Sequence, residues 1–401
     1  MSERALSSDH GTPPPEGAVS SATAAATPLQ QWLAGPRPEG VEHVLSRLRA
    51  TPGVARIAVM PDVHVASEFC VGTVVASEEW LFPNAVGGDI GCGMLALRFD
   101  GSAEVLADAQ RAARVLGAFY EVCPGRRHHR KLAHALPGHV AEMGLSHPHL
   151  EAQLHGEPSR VQLGTLGAGN HFLELQRDVA DDSLWLMLHT GSRHLGQNVL
   201  HHHLPKARRL ESGIFALPAD SAEGRAYLAD VAVARAWAKE NRRRLAMAAA
   251  RAVEGILGVV PRMETLVDCD HNHVQREMVD GREMLVHRKG ATAAHAGVAG
   301  IVPGSMGTRS FHTVGRGVAA ALNSSSHGAG RALSRSQARA TISRGTLRRQ
   351  LRGVYYDARL EGQLLEEAPG AYKDVVAVMR AQEELTRVVR ELRPVLVYKG
   401  D

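Results

Sequence analysis

Four short stretches of this chain carry side chains that bind divalent metal ions. Gly87-Gly88-Asp89-Ile90-Gly91-Cys92-Gly93 sets a carboxylate and a thiol three residues apart on a turn framed by glycine. Glycine there lets the backbone come close to an ion. Gly167-Ala168-Gly169-Asn170-His171-Phe172-Leu173-Glu174 offers His171 in a second glycine-rich stretch. Leu188-His189-Thr190-Gly191-Ser192-Arg193 brings an apolar run to an end at His189, and Asp268-Cys269-Asp270-His271-Asn272-His273 interleaves acids with imidazoles. Each has a plain structural reading when taken alone, as a turn over a buried cysteine or a histidine satisfied inside the core. Together they form a pattern, because all four sit at a predicted strand end or in a glycine turn, where rigid elements fix a group and loops expose it. Carboxylate, thiolate and imidazole suit a borderline divalent ion, and donor type alone does not choose among manganese, iron, cobalt and zinc.

A fifth stretch, Asn323-Ser324-Ser325-Ser326-His327-Gly328-Ala329-Gly330-Arg331, sets His327 before a small-residue turn whose bare N–H groups can cradle phosphate. Pro303-Gly304-Ser305-Met306-Gly307 is a loop of the same kind. The plain alternative for both is an ordinary polar loop. Neither fits the Walker pattern, and no Gly-x-Gly-x-x-Gly follows a predicted strand, which argues against a P-loop NTPase or a Rossmann enzyme. Basic clusters at 126–131, 206–209 and 242–244, with a spread over 331–352, would give a phosphate track if they shared a face; singly they read as solvated helix surface. With seven Phe, four Trp and six Tyr in 401 residues, aromatic interleaving is sparse, so such a track would hold phosphates more than bases.

The elements that must position these groups are a mixture. Residues 55–64 read as a buried strand entering a Pro-initiated loop, 71–77 as a strand, and 85–99 as a glycine turn leading into a strand. Residues 103–122 have a helical pattern, 123–134 form a basic loop, and 184–196 form a strand entering a glycine turn. The longest helix is expected over 226–257, after the breaker Gly224. Residues 283–297 and 301–311 look like strand–loop units. From Ser334 onward, helical stretches alternate with basic residues and close on Val395-Leu396-Val397-Tyr398. Without a regular βαβ rhythm this is an α+β chain. Residues 1–28, rich in Ser, Ala, Thr and Pro and lacking a signal-peptide pattern, read as a disordered tail, leaving 29–401 as one domain.

Composition narrows the class. A 44% hydrophobic and 22% charged chain is globular, and no apolar run is long enough to span a bilayer, so no membrane is expected. Four cysteines are too few for a disulfide scaffold, which points to a reducing cytoplasmic setting; Cys70, Cys123 and Cys269 read as small hydrophobes. The 22 histidines exceed what a core needs and direct attention back to metal or acid–base chemistry.

In order along the chain, MPDVH, VGGDIGCGM, LGTLGAGNHFLEL, LMLHTGSRHLG, HNHVQRE, RKGATAAHAG, IVPGSMGTRSF, SSSHGAGRALSR, AYKDVVAVM and the closing VYKG resemble the RtcB family from about residue 55 onward. These are GTP- and manganese-dependent ligases that join RNA 3′-phosphate or 2′,3′-cyclic phosphate ends to 5′-hydroxyl ends in repair or splicing. The resemblance implies a compact α+β domain with two manganese ions in a cleft. Asp89, Cys92 and His171 would hold one ion; Cys92, shared as a bridging thiolate, would hold the second with His189 and His271. His327 matches the histidine that takes GMP covalently, with Asp62 and Arg193 as further catalytic positions. GTP contacts would come from Asn170, His171, Phe172, Leu173, Glu174, His271, Asn272, Pro303, Gly304, Ser305, Met306, Ser310, His327, Gly328, Ala329, Gly330, Tyr372 and Lys399. The partners implied are such RNA ends and GTP; the motifs specify no activating protein. The chain departs from the family at Ala66-Ser67-Glu68, at Asp270 and His273, and over 101–160. Two rivals use the same ligands: a two-metal RNA end-processing phosphodiesterase, and a non-catalytic RNA-binding paralogue.

Overall fold

The computed structural model describes residues 27–66 and 68–400. Of the expected tail, positions 1–26 lie outside the described residues, as does Ser67. Thr27 is buried, its hydroxyl 3.2 and 3.1 Å from the carbonyls of Arg49 and Val54.

Two sheets carry the motifs. The larger has seven antiparallel strands in the order Pro261–Asp270, Gly93–Ser102, Ser183–Thr190, Phe172–Asp178, Thr386–Tyr398, Ser310–Gly315 and Ala299–Val302. Successive side chains of a strand point to opposite faces. Leu95, Leu97, Leu173, Leu175, Leu186 and Leu188 therefore share one face, which the helices Ala109–Val122 and Ala222–Leu257 cover with Val115, Phe119, Leu245 and Ala249. Met94, Ala96, Trp185, Met187 and Leu392 share the other. The smaller sheet runs Leu29–Gln31, Val54–His64, Val71–Ser77, Arg282–Lys289 and Asn272–Val279, its first pair parallel and the rest antiparallel. Antiparallel sheets with helices packed outside them make one compact α+β domain, as expected. Among the described residues no helix is long and apolar enough to cross a membrane.

Local chemistry explains where the boundaries depart from expectation. The strand Val54–His64 continues through Pro61 because that residue falls within the irregular stretch of the ladder between Val59 and His64. The pattern over 103–122 splits: Asp108 accepts from the backbone N–H groups of Gln110 and Arg111 and starts a new helix at Ala109. The long helix begins at Ala222 and takes in Gly224, whose N–H is capped by Ser221. Glycine is required there, since a Cβ would lie 2.1 Å from the Pro218 carbonyl oxygen.

Candidate active site

The metal-type motifs meet where strands of the larger sheet end. Cys92 leads into Gly93–Ser102, His189 lies at the end of Ser183–Thr190, and His171 immediately precedes Phe172–Asp178; in the ladder Met94 faces His189 and His189 faces Phe172. His271 is the single residue between the strands Pro261–Asp270 and Asn272–Val279, so it joins the two sheets, and its N–H donates to the Cys92 carbonyl at 2.8 Å. Cys92 Sγ is 3.1 Å from His189 Nε2 and 3.5 Å from His171 Nε2. His171 Nε2 is 3.1 Å from Asp89 Oδ2, and the Nε2 atoms of His189 and His271 are 3.2 Å apart. The ligand atoms of Cys92, His171 and His189 all lie within 4.8 Å of one another, a cluster able to hold a metal ion.

Hydrogen bonds within the cluster leave part of it unpaired. Three imidazole Nε2 atoms, one thiol sulfur and one carboxylate oxygen converge on a single small volume, each within 3.5 Å of another. The remote Nδ1 atoms of His171 and His271 are buried without a partner among the described residues. A divalent cation among the Nε2, Sγ and carboxylate atoms would resolve the convergence. Burial drives His189 and His271 well below the usual imidazole range, so both rings are neutral, the form that ligates. Desolvation works to raise Asp89, but the neighbouring His171 outweighs it and holds the carboxyl at about 2. Burial pushes the Cys92 thiol up, and a bound cation is what would draw off its proton.

Beside this cluster stands His327, its ring centroid 4.7 Å from that of His271. Asp62 is fully buried next to it, accepting from the His327 backbone N–H at 3.2 Å, with the same oxygen 2.7 Å from Nδ1. The carboxylate keeps the ring proton on Nδ1 and leaves the lone pair on Nε2. Gly330 passes close over Asp62: its φ is +72°, and a Cβ would sit 2.3 Å from the Asp62 carbonyl oxygen.

A cleft of about 430 Å³ opens on both groups. Asp89, Cys92, Asn170, Phe172, Glu174, His189, His271, Asn272, Ser310, His327, Tyr372 and Lys399 line it, with the loop 303–306 and the turn 328–330. Asn272 fastens the metal turn by donating to the Asp89 carbonyl at 3.2 Å. The Ser305 N–H donates to Thr308 Oγ1 at 2.7 Å, and the Ala329 N–H to the Pro303 carbonyl at 2.9 Å, so the two small-residue segments brace each other. The Lys399 ammonium lies 5.5 Å from the Phe172 ring centroid and donates to the Gly169 carbonyl at 3.3 Å. Burial lifts the Glu174 carboxyl to about 8, against the opposing pull of Lys399 and Gln176.

The remaining expected residues stand outside the lining. Asp62 and His171 lie directly behind it, touching His327 and Cys92. Arg193 is at φ +56°, donates to the Gly125 carbonyl at 3.3 Å and shares with His171 the space over Gly167, where a Cβ would lie 2.4 and 2.3 Å from the two side chains. Leu173 points the other way, into the leucine face of the sheet, because it alternates with Phe172 and Glu174.

Several groups escaped the sequence reading. Lys289 lines the cleft, donates to the Asn84 carbonyl at 2.6 Å and is lowered by burial to about 8. Its signal was a charged residue at a strand end before glycine, as in the other motifs. Glu367 lines it as well, and of the expected basic spread over 331–352, Arg331 and Arg335 reach the cleft. The basic clusters need correction. Arg242 is buried, bonding Asp268 at 2.7 Å and the carbonyls of Gly91 and Thr190 at 2.6 and 3.2 Å. It fastens the Cys92 turn to the His189 strand and is no part of a phosphate track. Arg243 and Arg244 pair with Glu240, and Arg348 with Glu361. The adjacent Asn241 accepts from the N–H groups of Gly164 and Thr165 and donates to the Gly191 carbonyl, tying in the loop before His171.

Known proteins share this chain's sequence over nearly its full length. A model of the tRNA-splicing ligase RtcB family matches residues 44–400. The RNA-splicing ligase RtcB of Escherichia coli K12 is 35% identical, over 93% of this chain and 97% of its own. The tRNA-splicing ligase RtcB of Archaeoglobus fulgidus is 31% identical over 85% and 87%, and the RNA-splicing ligase RtcB of Mycobacterium tuberculosis 31% over 87% and 98%. Coverage and identity at that level show that the chain, whose fold gathers these motifs around one cleft, belongs to the RtcB family of RNA-splicing ligases.

Proposed function

We propose that this protein is a GTP- and manganese-dependent RNA ligase, working in the cytoplasm in RNA repair or splicing. It would join 3′-phosphate or 2′,3′-cyclic phosphate ends to 5′-hydroxyl ends, with residues 29–401 as its catalytic unit. The observation that carries this reading is the Asp62–His327 pair, an oriented imidazole 4.7 Å from a ring of the metal-type cluster. A hydrolytic two-metal enzyme has no use for such a nucleophile, and a binding protein has no use for either group.

His327 attacks the α-phosphorus of GTP through Nε2, forming a P–N bond as the P–O bond to pyrophosphate breaks. Asp62 holds the Nδ1 proton and stabilises the positive ring that forms. Glu174 accepts from guanine N1–H and the 2-amino group; adenine presents an acceptor at N1, so it is rejected. The N–H groups of Gly328 and Gly330 and the cations Lys399 and Arg331 balance phosphate charge. His327 then yields its GMP to the RNA 3′-phosphate, and the 5′-hydroxyl oxygen attacks the RNA phosphorus, expelling GMP. Two manganese ions, on Asp89–Cys92–His171 and Cys92–His189–His271, would supply charge neutralisation at the phosphoryl oxygens.

The test is ligation of an RNA pair carrying a 3′-phosphate and a 5′-hydroxyl. Joined product that requires both GTP and manganese supports the reading. End hydrolysis without joining, or binding without turnover, overturns it.

A further inference from the structure

One fully buried amide abuts the floor of the cleft. Gln176 follows Glu174 by two positions on the strand Phe172–Asp178, so both side chains leave the same face of the sheet. Trp185, Met187 and Leu392 pack on that face, with the Asp178–Arg390 pair and His312 beyond them. Gln176 Nε2 donates to Glu174 Oε2 at 2.9 Å and to Ser310 Oγ at 3.3 Å. Ser310 Oγ also accepts from the Gly304 N–H at 3.3 Å. The two amide hydrogens thus tie the carboxylate to the loop that walls the cleft. Gln176 Oε1, by contrast, is buried with no partner among the described residues.

An unpaired, fully buried amide oxygen is costly, and a leucine of similar size would avoid that cost. The side chain needs a reason beyond stability, and its contact with Glu174 provides one. The terminal torsion of a glutamate is broad, so an unsupported carboxylate turns freely about its last bond. A bond to Oε2 fixes the plane of the group while leaving lone pairs on both oxygens for a ligand.

We propose that Gln176 is a positioning residue for guanine recognition, holding the Glu174 carboxylate in the plane where its two oxygens meet N1–H and the 2-amino group together. The proposal rests on Glu174 being the guanine acceptor. Inosine keeps N1–H and lacks the 2-amino group, so the preference for GTP over ITP reads the second contact directly.

The experiment compares kcat/KM for enzyme–nucleotide formation with GTP and ITP in wild type, Gln176→Leu and Glu174→Gln. Each ratio is taken within one preparation, so the fraction folded cancels; Gln176→Met replaces the leucine variant if that does not fold. In Gln176→Leu the GTP:ITP ratio is expected to fall about tenfold, the worth of one hydrogen bond to a charged group, through KM with kcat little changed. A wild-type ratio in Gln176→Leu, or an equal kcat loss for both nucleotides, overturns the positioning role if Glu174→Gln has lost discrimination. A wild-type ratio in Glu174→Gln means that the acceptor assignment itself is wrong, and the proposal falls with it.

Discussion

Glu174 should make nucleotide binding depend on pH in a way that an ordinary carboxylate would not. Burial raises it to about 8, so at pH 7 roughly one molecule in ten carries the carboxylate. The guanine edge presents two donors and needs the ionised form, so binding must expel a proton. Apparent affinity then follows the ionised fraction: about tenfold weaker at pH 7 than on the plateau above 8, and about a hundredfold weaker at pH 6. The folding effect has the opposite sign. Between the unfolded value of 4.5 and the folded value of about 8, the empty native protein holds one more proton than the unfolded chain. Its stability therefore falls as pH rises through that window, by roughly 1.4 kcal/mol per unit and about 3 kcal/mol by pH 7. The assay is calorimetric titration of GMP into a His327→Ala background from pH 6 to 9, in buffers of different ionisation enthalpy. Glu174→Gln is run in parallel to remove the nucleotide's own titration. Affinity that climbs with pH and releases a proton in the parent, over and above the slope that Glu174→Gln retains from the nucleotide, is expected. The same slope in both proteins would refute the reasoning.

Three other perturbations follow from the geometry. Cys92→Ala removes the sulfur that faces both His171 and His189, and dialysed protein should lose all its metal by elemental analysis; full occupancy would contradict the shared thiolate. Gly191→Ala places a Cβ 2.2 Å from Asp89 Oδ1, so the carboxylate must move. Metal affinity should drop at least about tenfold while the circular dichroism stays native, and an unchanged binding isotherm would count against Asp89 as a ligand. Arg242→Ala strands buried Asp268 and frees the Gly91 and Thr190 carbonyls; urea unfolding should show a loss of about 3–5 kcal/mol, and a loss under 1 would deny the clamp.

The chain announced its strands best where they are buried on both faces. The runs at 71–77, 93–99 and 183–190 are largely apolar; the second starts from a glycine turn that carries Asp89 and Cys92 and the third ends on one that carries His189, so there fold and site were legible from the same residues. The strand Thr386–Tyr398 was seen only at its closing end. Arg387, Arg390, Glu391 and Arg393 disguise its first half, because Arg390 is drawn to Asp178 across the sheet and masks the apolar period. The metal-type residues share an unusual combination of types, which sequence displays. Gln176, Asn241 and Arg242 act by where they point, and a glutamine in a strand or an Asn-Arg in an Ala-rich helix looks like solvated surface until the partners across the fold are known. The misread basic cluster at 242–244 has the same cause: charge is visible in sequence, and its burial is not.

The central claim is that His327 is the nucleophile for GMP. Purified protein, loaded with manganese, should be incubated with α-phosphate-labelled GTP beside His327→Ala, with metal content measured in both. Acid-labile label on the wild type, and none on a His327→Ala protein that retains its metal, is the result predicted. Label on His327→Ala, or none on folded, metal-replete wild type, would contradict it.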